Sequence, residues 1–229
     1  MVRSPVKDTL ILARRLMVTE QLAARGIRYE RVLQVMGEVP RHLFVEEALR
    51  SEAYGEHALP IGFGQTISQP YIVARMCELL KLEGTEKILE VGLGSGYHAA
   101  VLSKLGRTVF AIERIPKLAE RARKTLDSLG MKNVIVKAGD GSTGLRSSAP
   151  FDRIAVTAAA GEIPAPLLEQ LAEGGRLVMP VGKGEEQRMM LVEKKGGTLL
   201  RREVERARFV PLIQGSGRAL SEGEKVRGE

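Results

Sequence analysis

Short apolar runs alternate with amphipathic stretches through the middle of the chain. Five runs have the length and apolar content of buried strands, at 88–91, 108–112, 133–137, 153–157 and 176–181. Three further stretches have the spacing of helices, at 97–105, 116–129 and 164–172. Because strands that alternate with helices form parallel sheets, we expect a largely parallel, doubly wound α/β sheet. Its ligands should bind at the carboxyl ends of the strands.

The residues before the first of these strands are predicted to be helical. Apolar residues recur at roughly helical spacing over 8–25, and Gly26 then provides a stop. A second helix is expected over 30–36 and a third over 41–50, followed by an irregular segment at 51–64. We interpret this region as a helical cap on the sheet.

The pattern changes again after residue 185. Two short apolar stretches, 189–193 and 198–202, flank Gly196-Gly197, which indicates an antiparallel hairpin. One more strand is expected at 208–213, and the order of strands at this edge of the sheet is left open. The chain is expected to form one domain, 1–229, in three parts. Residues 1–83 form the helical cap and the polar loop, 84–185 form the core, and 186–229 form the C-terminal antiparallel strands and a tail.

A glycine-rich turn directly follows the first strand of the predicted sheet. Gly92, Gly94 and Gly96 stand in GxGxG spacing, and Glu90 lies just before them. Glycine permits a tight turn and a close approach of a ligand to the backbone. The dinucleotide fingerprint has a third glycine at the position of Tyr97, so this turn departs from that fingerprint.

A second acidic residue strengthens the prediction of a nucleoside site. Glu113 ends the next apolar run, about 20 residues after the first glycine, where a carboxylate reaches the ribose hydroxyls of a bound nucleoside. The turn and this acid together favour S-adenosylmethionine over NAD, which would prefer the third glycine. The alternative is a tight strand-to-helix turn in a protein that binds nothing there.

A polar loop precedes an apolar helix in the segment 62–71. It contains two glycines, two hydroxyl groups, two amides and a proline. One interpretation is structural: Ser68 caps the helix and Pro70 occupies its first turn. The functional interpretation is that the hydroxyls of Thr66 and Ser68, with backbone N–H groups at the helix start, hold an anion. The two interpretations are compatible.

Two further positions have alternative interpretations. Asp140, between Gly139 and Gly141, follows a predicted strand, where a carboxylate can accept a hydrogen bond from an adenine amino group. It fits a turn aspartate equally well. Cys77 is the only cysteine, which excludes an intramolecular disulfide and a cysteine-rich zinc site, and we expect it to pack among apolar neighbours. No two of the three histidines have metal-ligand spacing, so no metal is expected.

Composition and charge narrow the possible partners. No apolar run approaches the roughly 18 residues of a membrane span, and charges among the N-terminal apolar residues argue against a signal peptide. We therefore expect a cytoplasmic protein. The net charge is +7, but basic residues are spread along the chain, and only 5 Phe and 4 Tyr are available to stack on bases. The charge is interpreted as a solvated surface, without a stable nucleic-acid partner.

Several stretches together resemble one family, the protein-L-isoaspartate O-methyltransferases, from about residue 18 to residue 213. The matching stretches are 58–62, 65–70, 88–97, 139–141, 149–152, 156–159 and 209–212. The stretch 66–68 separates this family from other methyltransferases with the same nucleotide-binding half. The chain departs from the family at Leu93 and at Gly161-Glu162. The resemblance implies a Rossmann-like class I S-adenosylmethionine-dependent methyltransferase fold.

The resemblance also implies a reaction and roles for the site residues. In this family a methyl group moves from S-adenosylmethionine to the free carboxylate of an L-isoaspartyl or D-aspartyl residue in a damaged protein or peptide, and the ester closes to a succinimide. Thr66 and Ser68 are implied to be catalytic and to hold that carboxylate. The residues implied to bind the cofactor are Thr66, Ile67, Ser68, Gln69, Glu90, Gly92, Gly94, Gly96, Glu113, Arg114, Asp140 and Gly141. Ile213 and Arg218 align with substrate-binding positions, and a monomer is expected.

Three rival functions fit these residues less well. A methyltransferase acting on nucleic-acid amines tends to carry an acid or asparagine, two prolines and an aromatic residue after the fourth strand, whereas this chain has 156–160, Val-Thr-Ala-Ala-Ala. Methylation at C5 of a base needs a nucleophilic cysteine in that region, and Cys77 is distant in sequence. A nucleotide-sensing module would bind cofactor without transfer, and an NAD oxidoreductase is disfavoured by Tyr97.

Overall fold

The computed structural model describes residues 5–215, with side chains from residue 10 onward. Its N-terminal region is helical, as the sequence predicts. Helix α1 spans Pro5–Leu16 and continues directly into a π-helical stretch, Met17–Ala23, while α2 spans Glu30–Glu38. Within the described part of the chain, no helix is long and apolar enough to cross a membrane.

The helix predicted over 41–50 is wrong. Two short 3-10 helices, Arg41–Phe44 and Glu47–Glu52, occupy this stretch instead. The backbone is extended at Val45 and Glu46, between the two helices. The side chain of Val45 is buried at this break, so packing into the core interrupts the helical path.

A small hairpin forms where the sequence predicted only irregular structure. Strand β1, Leu59–Gly62, pairs antiparallel with β2, Gln65–Ile67. Helix α3, Pro70–Leu80, follows with proline in its first turn, as expected. The prediction that Ser68 caps this helix is wrong. The capping position is Gln69, without a side-chain capping bond, so the Ser68 hydroxyl is free for another role.

Seven strands form the central sheet. They are β3 Lys87–Val91, β4 Thr108–Glu113, β5 Val134–Ala138, β6 Phe151–Val156, β7 Leu171–Val181, β8 Arg188–Lys195 and β9 Thr198–Arg206. Their spatial order is β5-β4-β3-β6-β7-β8-β9. The first five in this order are parallel, and β8 and β9 are antiparallel to their neighbours. The doubly wound sheet with antiparallel C-terminal strands is therefore confirmed.

Helices cover both faces of this sheet. They are α4 Tyr97–Leu105, α5 Pro116–Ser128 and α6 Ala165–Glu169, in addition to the N-terminal helices. One apolar cluster packs the sheet against the N-terminal cap, α3, α4 and α5. A second cluster includes Leu89, Ile154 and Leu167. Because both faces are covered, β3 at the centre is buried from Ile88 to Val91, and Glu90 is the one charged residue in that buried run.

The strand predicted at 208–213 is wrong. The chain there forms an extended segment, the C-terminal strap, residues 209–215. It touches the sheet edge through two backbone hydrogen bonds, Ala159 N to Val210 O at 2.8 Å and Leu212 N to Ala159 O at 2.7 Å. Pro211 lies between these contacts and pairs with Ala159 as an isolated parallel bridge, so the strap does not form a strand of the sheet.

Candidate active site

The glycine turn after β3 is locked by a threonine from the neighbouring strand. The Thr157 hydroxyl, just past the end of β6, donates to Val91 O at 3.1 Å and to Gly92 O at 2.5 Å. Gly92 has φ +92°, and a Cβ placed there would lie 2.5 Å from the Thr157 Oγ1 atom. Only glycine therefore permits both the turn and this close approach.

Glu113 ties the end of β4 to the same turn. Its Oε2 accepts from Gly94 N at 2.8 Å, and its Oε1 accepts from Ile115 N at 2.9 Å. Burial raises the pKa of the Glu113 carboxyl, and the backbone N–H donors oppose that shift. The side chain is thus fixed at the carboxyl edge of the sheet, with lone pairs left to accept from ligand hydroxyl groups.

Glu90 lies beneath the turn as a buried acid without hydrogen-bond donors. It is fully buried, and neither carboxylate oxygen has a hydrogen-bond partner in the described residues. His98 Nδ1 lies 3.2 Å from Oε1 as an ionic contact, outside hydrogen-bond geometry. Burial raises the pKa of the Glu90 carboxyl, and His98 opposes the shift. A buried carboxylate whose two oxygens accept no hydrogen bond suits a ligand group that brings a positive charge and N–H donors.

Asp140 holds the C-terminal strap at the far end of the site. Its Oδ1 accepts from Ser142 N at 2.9 Å and Ser142 Oγ at 2.7 Å, and its Oδ2 accepts from Gly215 N at 2.6 Å. Although burial acts in the opposite direction, these donors lower the pKa of the Asp140 carboxyl. Arg114 Nη1 donates to Gly215 O at 2.6 Å and contacts Ile213 O at 3.5 Å.

One cavity at the carboxyl edge of the sheet, here called the central cavity, is lined by Glu90, Gly92, Glu113 and Thr157, whereas Asp140 does not line it. The strap closes one side of it through Val210–Ile213. A second concavity, the outer groove, leads from it to the surface, and the two share Thr66, Ser68, Thr157 and Val210. Within the described residues the hydroxyls of Thr66 and Ser68 have no hydrogen-bond partner. They lie at the junction of the two spaces.

The structure brings most of the predicted site residues together. Those that line the central cavity are Thr66, Ile67, Ser68, Glu90, Gly92, Gly94, Glu113, Arg114, Gly141 and Ile213. Gln69 lines the outer groove instead. Gly96 starts α4 and lies behind the cavity, because a Cβ there would be 3.1 Å from Ala122. Arg218 lies outside the described residues.

Sequence reasoning missed two residues of the site. Thr157 was taken only as the end of a strand, although the carboxyl end of a parallel strand is where ligands bind. His98 has no spacing in the sequence that marks it as a functional residue, yet it is buried between Glu90 and Cys77, with Nε2 3.4 Å from Cys77 Sγ. Burial lowers the pKa of His98, but its contacts with Cys77 and Glu90 outweigh burial and raise it to about 10. No sequence spacing pointed to this contact between α3 and α4.

A parallel sheet with a glycine turn after β3 and an acid at the end of β4 defines the class I methyltransferase architecture. Comparison with known proteins narrows this class. The profile of the protein-L-isoaspartate (D-aspartate) O-methyltransferase family matches residues 13–217. The chain is 56% identical over 201 residues to protein-L-isoaspartate O-methyltransferase 1 of Syntrophobacter fumaroxidans, covering 88% of this chain and 94% of that one. It is 53% identical over 205 residues to protein-L-isoaspartate O-methyltransferase 2 of Geotalea uraniireducens, covering 89% and 94%.

Solved structures agree with this result. A protein-L-isoaspartate O-methyltransferase structure superposes with a TM-score of 0.79 at 30% identity, over 88% of this chain and 66% of that chain. A Plasmodium falciparum structure described as a beta-aspartate methyltransferase, in complex with S-adenosyl-L-homocysteine, superposes with a TM-score of 0.75 at 25% identity, over 88% and 99%. The chain belongs to the protein-L-isoaspartate (D-aspartate) O-methyltransferase family.

Proposed function

We propose that Thr66 and Ser68 hold the carboxylate of an isoaspartyl residue at the junction of the central cavity and the outer groove. The enzyme is a protein repair methyltransferase that moves a methyl group from S-adenosylmethionine to the free carboxylate of L-isoaspartyl residues in damaged proteins. The methyl ester then closes to a succinimide. This placement of the carboxylate is supported by the hydroxyls of Thr66 and Ser68, which have no hydrogen-bond partner in the described residues and line both the central cavity and the outer groove.

The central cavity fits S-adenosylmethionine on three observations. Glu90 offers a buried carboxylate without donors to the amino group of the methionine part. The backbone at Gly92 and Gly94 lines the cavity, where the glycine turn lets a ligand approach it closely. Glu113 has acceptor capacity left for the ribose hydroxyls. The adenine is assigned to Asp140 and Gly141, of which Gly141 lines the cavity. When bound, S-adenosylmethionine supplies an electrophilic methyl group on a sulfonium centre.

The chemistry needs no general base from the protein. A carboxylate acceptor has an ordinary pKa near 4 and is already ionised at pH 7. The chain's residues therefore contribute mainly by aligning the acceptor and excluding water. The hydroxyls of Thr66 and Ser68 can donate to the acceptor carboxylate without removing a proton from it. The strap contributes by closing the central cavity at Val210–Ile213.

The test of this function uses two peptides that differ only in an aspartyl or an isoaspartyl linkage. Both are incubated with the protein and methyl-labelled S-adenosylmethionine. We expect label on the isoaspartyl peptide alone, released by mild base as methanol from a methyl ester. Equal labelling of the two peptides would contradict the selectivity, and label resistant to base would contradict the ester. A Ser68→Ala variant with intact cofactor binding tests the placement separately.

Two further features are part of this proposal. We expect the enzyme to act as a monomer in the cytoplasm, on isoaspartyl-containing proteins and peptides and without a stable nucleic-acid partner. Dispersed acids and bases, rather than one basic face, support the last point. Sedimentation of the purified protein, with and without a nucleic-acid oligomer, measures both its mass and any complex.

A further inference from the structure

The wall of the outer groove carries arginines beyond the proposed acceptor position. Arg206 and Arg208 line this groove, and both are exposed. Among the described residues Arg206 has no ion-pair partner, and Arg208 contacts Glu185 at 3.5 Å with side chains 81% and 84% exposed. Among the residues that the structure describes, the charged groups that line the groove are these three, two positive and one negative.

The backbone that presents these arginines is held to the fold by a buried amide. Gln187 is only 5% exposed. Its Nε2 donates to Phe209 O at 3.0 Å, and its Oε1 accepts from Phe209 N at 2.7 Å. Its backbone oxygen accepts from Ala207 N at 3.0 Å. Arg208 lies between these two anchored residues and Arg206 directly precedes them, so the backbone that carries both arginines is tied to Gln187.

The ion pair between Arg208 and Glu185 is open to exchange. An exposed pair on long side chains contributes little, because water and salt screen it and both side chains lose freedom. A carboxylate of a bound peptide can therefore replace Glu185 on Arg208, and it can reach Arg206 without displacing any partner. Electrostatic attraction between an acidic peptide and these arginines increases the rate of association as well as the stability of the complex.

We propose that Arg206 and Arg208 form a subsite for acidic residues that flank the isoaspartyl residue of the substrate. This inference rests on the proposed function, since the peptide must run along the outer groove when its isoaspartyl carboxylate lies at Thr66 and Ser68. It assigns a preference among damaged sites: those with neighbouring Asp or Glu are methylated more efficiently than those with neighbouring Lys or Arg.

The test compares three isoaspartyl peptides that carry Glu, Gln or Lys at the second position on each side of the isoaspartyl residue. KM and kcat are measured at low and high ionic strength. We expect kcat/KM in the order Glu, Gln, Lys, with each arginine contributing about 2- to 5-fold through KM. The order should largely disappear at about 1 M salt, where the screening length falls to about 3 Å.

Three variants locate the effect. Arg206→Gln and Arg208→Gln should each reduce the preference for the Glu peptide, and the double variant should remove it, with kcat on the Gln peptide unchanged. Arg201→Gln is the matched control, since Arg201 is exposed on the same strand and does not line the groove. An equal loss in Arg201→Gln would assign the preference to overall charge and overturn the subsite.

The remaining outcomes also decide the question. Equal rates on the Glu and Lys peptides, with the Gln peptide methylated normally, would overturn the subsite and leave the proposed function intact. Failure to methylate the Gln peptide at all would overturn the proposed function and the subsite with it. Retention of the preference in the double variant would place the acidic contact elsewhere.

Discussion

The carboxylate of Glu90 and the imidazole of His98 face each other beneath the central cavity, with Oε1 and Nδ1 3.2 Å apart and both side chains buried. Glu90 comes from the central strand and His98 from the first turn of the following helix, so the glycine turn itself brings them together. A charge so deeply buried is costly without a partner. His98 thus stabilises the anionic form of Glu90 in a site built for a cationic ligand group.

This contact predicts how stability depends on pH. The pKa of His98 is raised to about 10 in the folded protein, from an ordinary value near 6.5. Between these values the folded protein holds a proton that the unfolded chain has lost. The stabilisation is therefore fully present below pH 6.5 and is lost as the pH rises through about 10. The pKa of Glu90 is also raised in the folded protein, so Glu90 likewise makes the free energy of unfolding fall as the pH rises, beginning at a lower pH than His98.

The measurement is thermal unfolding of the cofactor-free protein from pH 6 to pH 10, for the wild type and His98→Gln. The wild-type Tm should fall more steeply with pH than the Tm of the variant. Each kcal/mol of this contribution corresponds to about 2–4 °C in a protein of this size. His57→Gln is the control, because His57 is exposed. Parallel curves for wild type and His98→Gln would contradict the assignment.

Glu113→Ala is expected to weaken cofactor binding more than turnover at saturating cofactor. The variant loses the acceptor for ribose hydroxyls and leaves the N–H groups of Gly94 and Ile115 without a partner. Hydrogen bonds to a charged group are worth about 1.5–3 kcal/mol, so Kd should rise by about 10- to 150-fold. Calorimetric titration with S-adenosylhomocysteine measures it, with exposed Glu120→Ala as the control. An unchanged Kd would remove Glu113 from the site.

Ser68→Ala should have the opposite effect, lowering the rate of methylation much more than the affinity for the cofactor. Its hydroxyl is without a partner at the junction of the two spaces, so its removal costs little stability and affects the acceptor rather than the cofactor. We expect kcat/KM for an isoaspartyl peptide to fall by about 10- to 150-fold through loss of a hydrogen bond to a carboxylate. The Kd for S-adenosylhomocysteine should change less than 3-fold, roughly the effect of a weak neutral contact. If Kd rose in step with the loss of rate, the role assigned to Ser68 would be wrong.

Gly92→Ala tests the lock between the glycine turn and Thr157. The new Cβ would meet Thr157 Oγ1 at 2.5 Å, and φ +92° strains any residue with a side chain. We expect a loss of about 1–3 kcal/mol in the free energy of unfolding, together with weakened cofactor binding. Gly161→Ala is the matched control, since its nearest neighbour lies 3.8 Å away, and it should change stability by less than about 0.5 kcal/mol. Denaturant unfolding compares the two.

Local patterns were sufficient to predict the core of this fold. The strands from 88 to 137 and the helices between them follow the predicted bounds to within one or two residues, because each combines a strong period with clear turn residues. The glycine turn and Glu113 meet because parallel register brings the ends of β3 and β4 to one edge. The proximity of the glycine turn and Glu113 therefore follows from the parallel sheet that the alternation of strands and helices predicts.

The failures come from contacts that no local pattern encodes. The segment 41–50 has the composition of a helix, but burial of Val45 interrupts it. The stretch 208–213 is as apolar as a strand, yet it pairs with Ala159 through one isolated bridge and forms a strap across the site. The position of His98 between Glu90 and Cys77 results from the packing of α4 against α3, which the local sequence does not encode.

The C-terminal strap links the two spaces of the site. It crosses the carboxyl edge of the sheet from Ala159 to Asp140, and Val210 belongs both to the central cavity and to the outer groove. Because Val210 lines both spaces, the position of the strap couples the shape of the central cavity to the shape of the outer groove. A ligand that displaces the strap in one space would therefore also change the other.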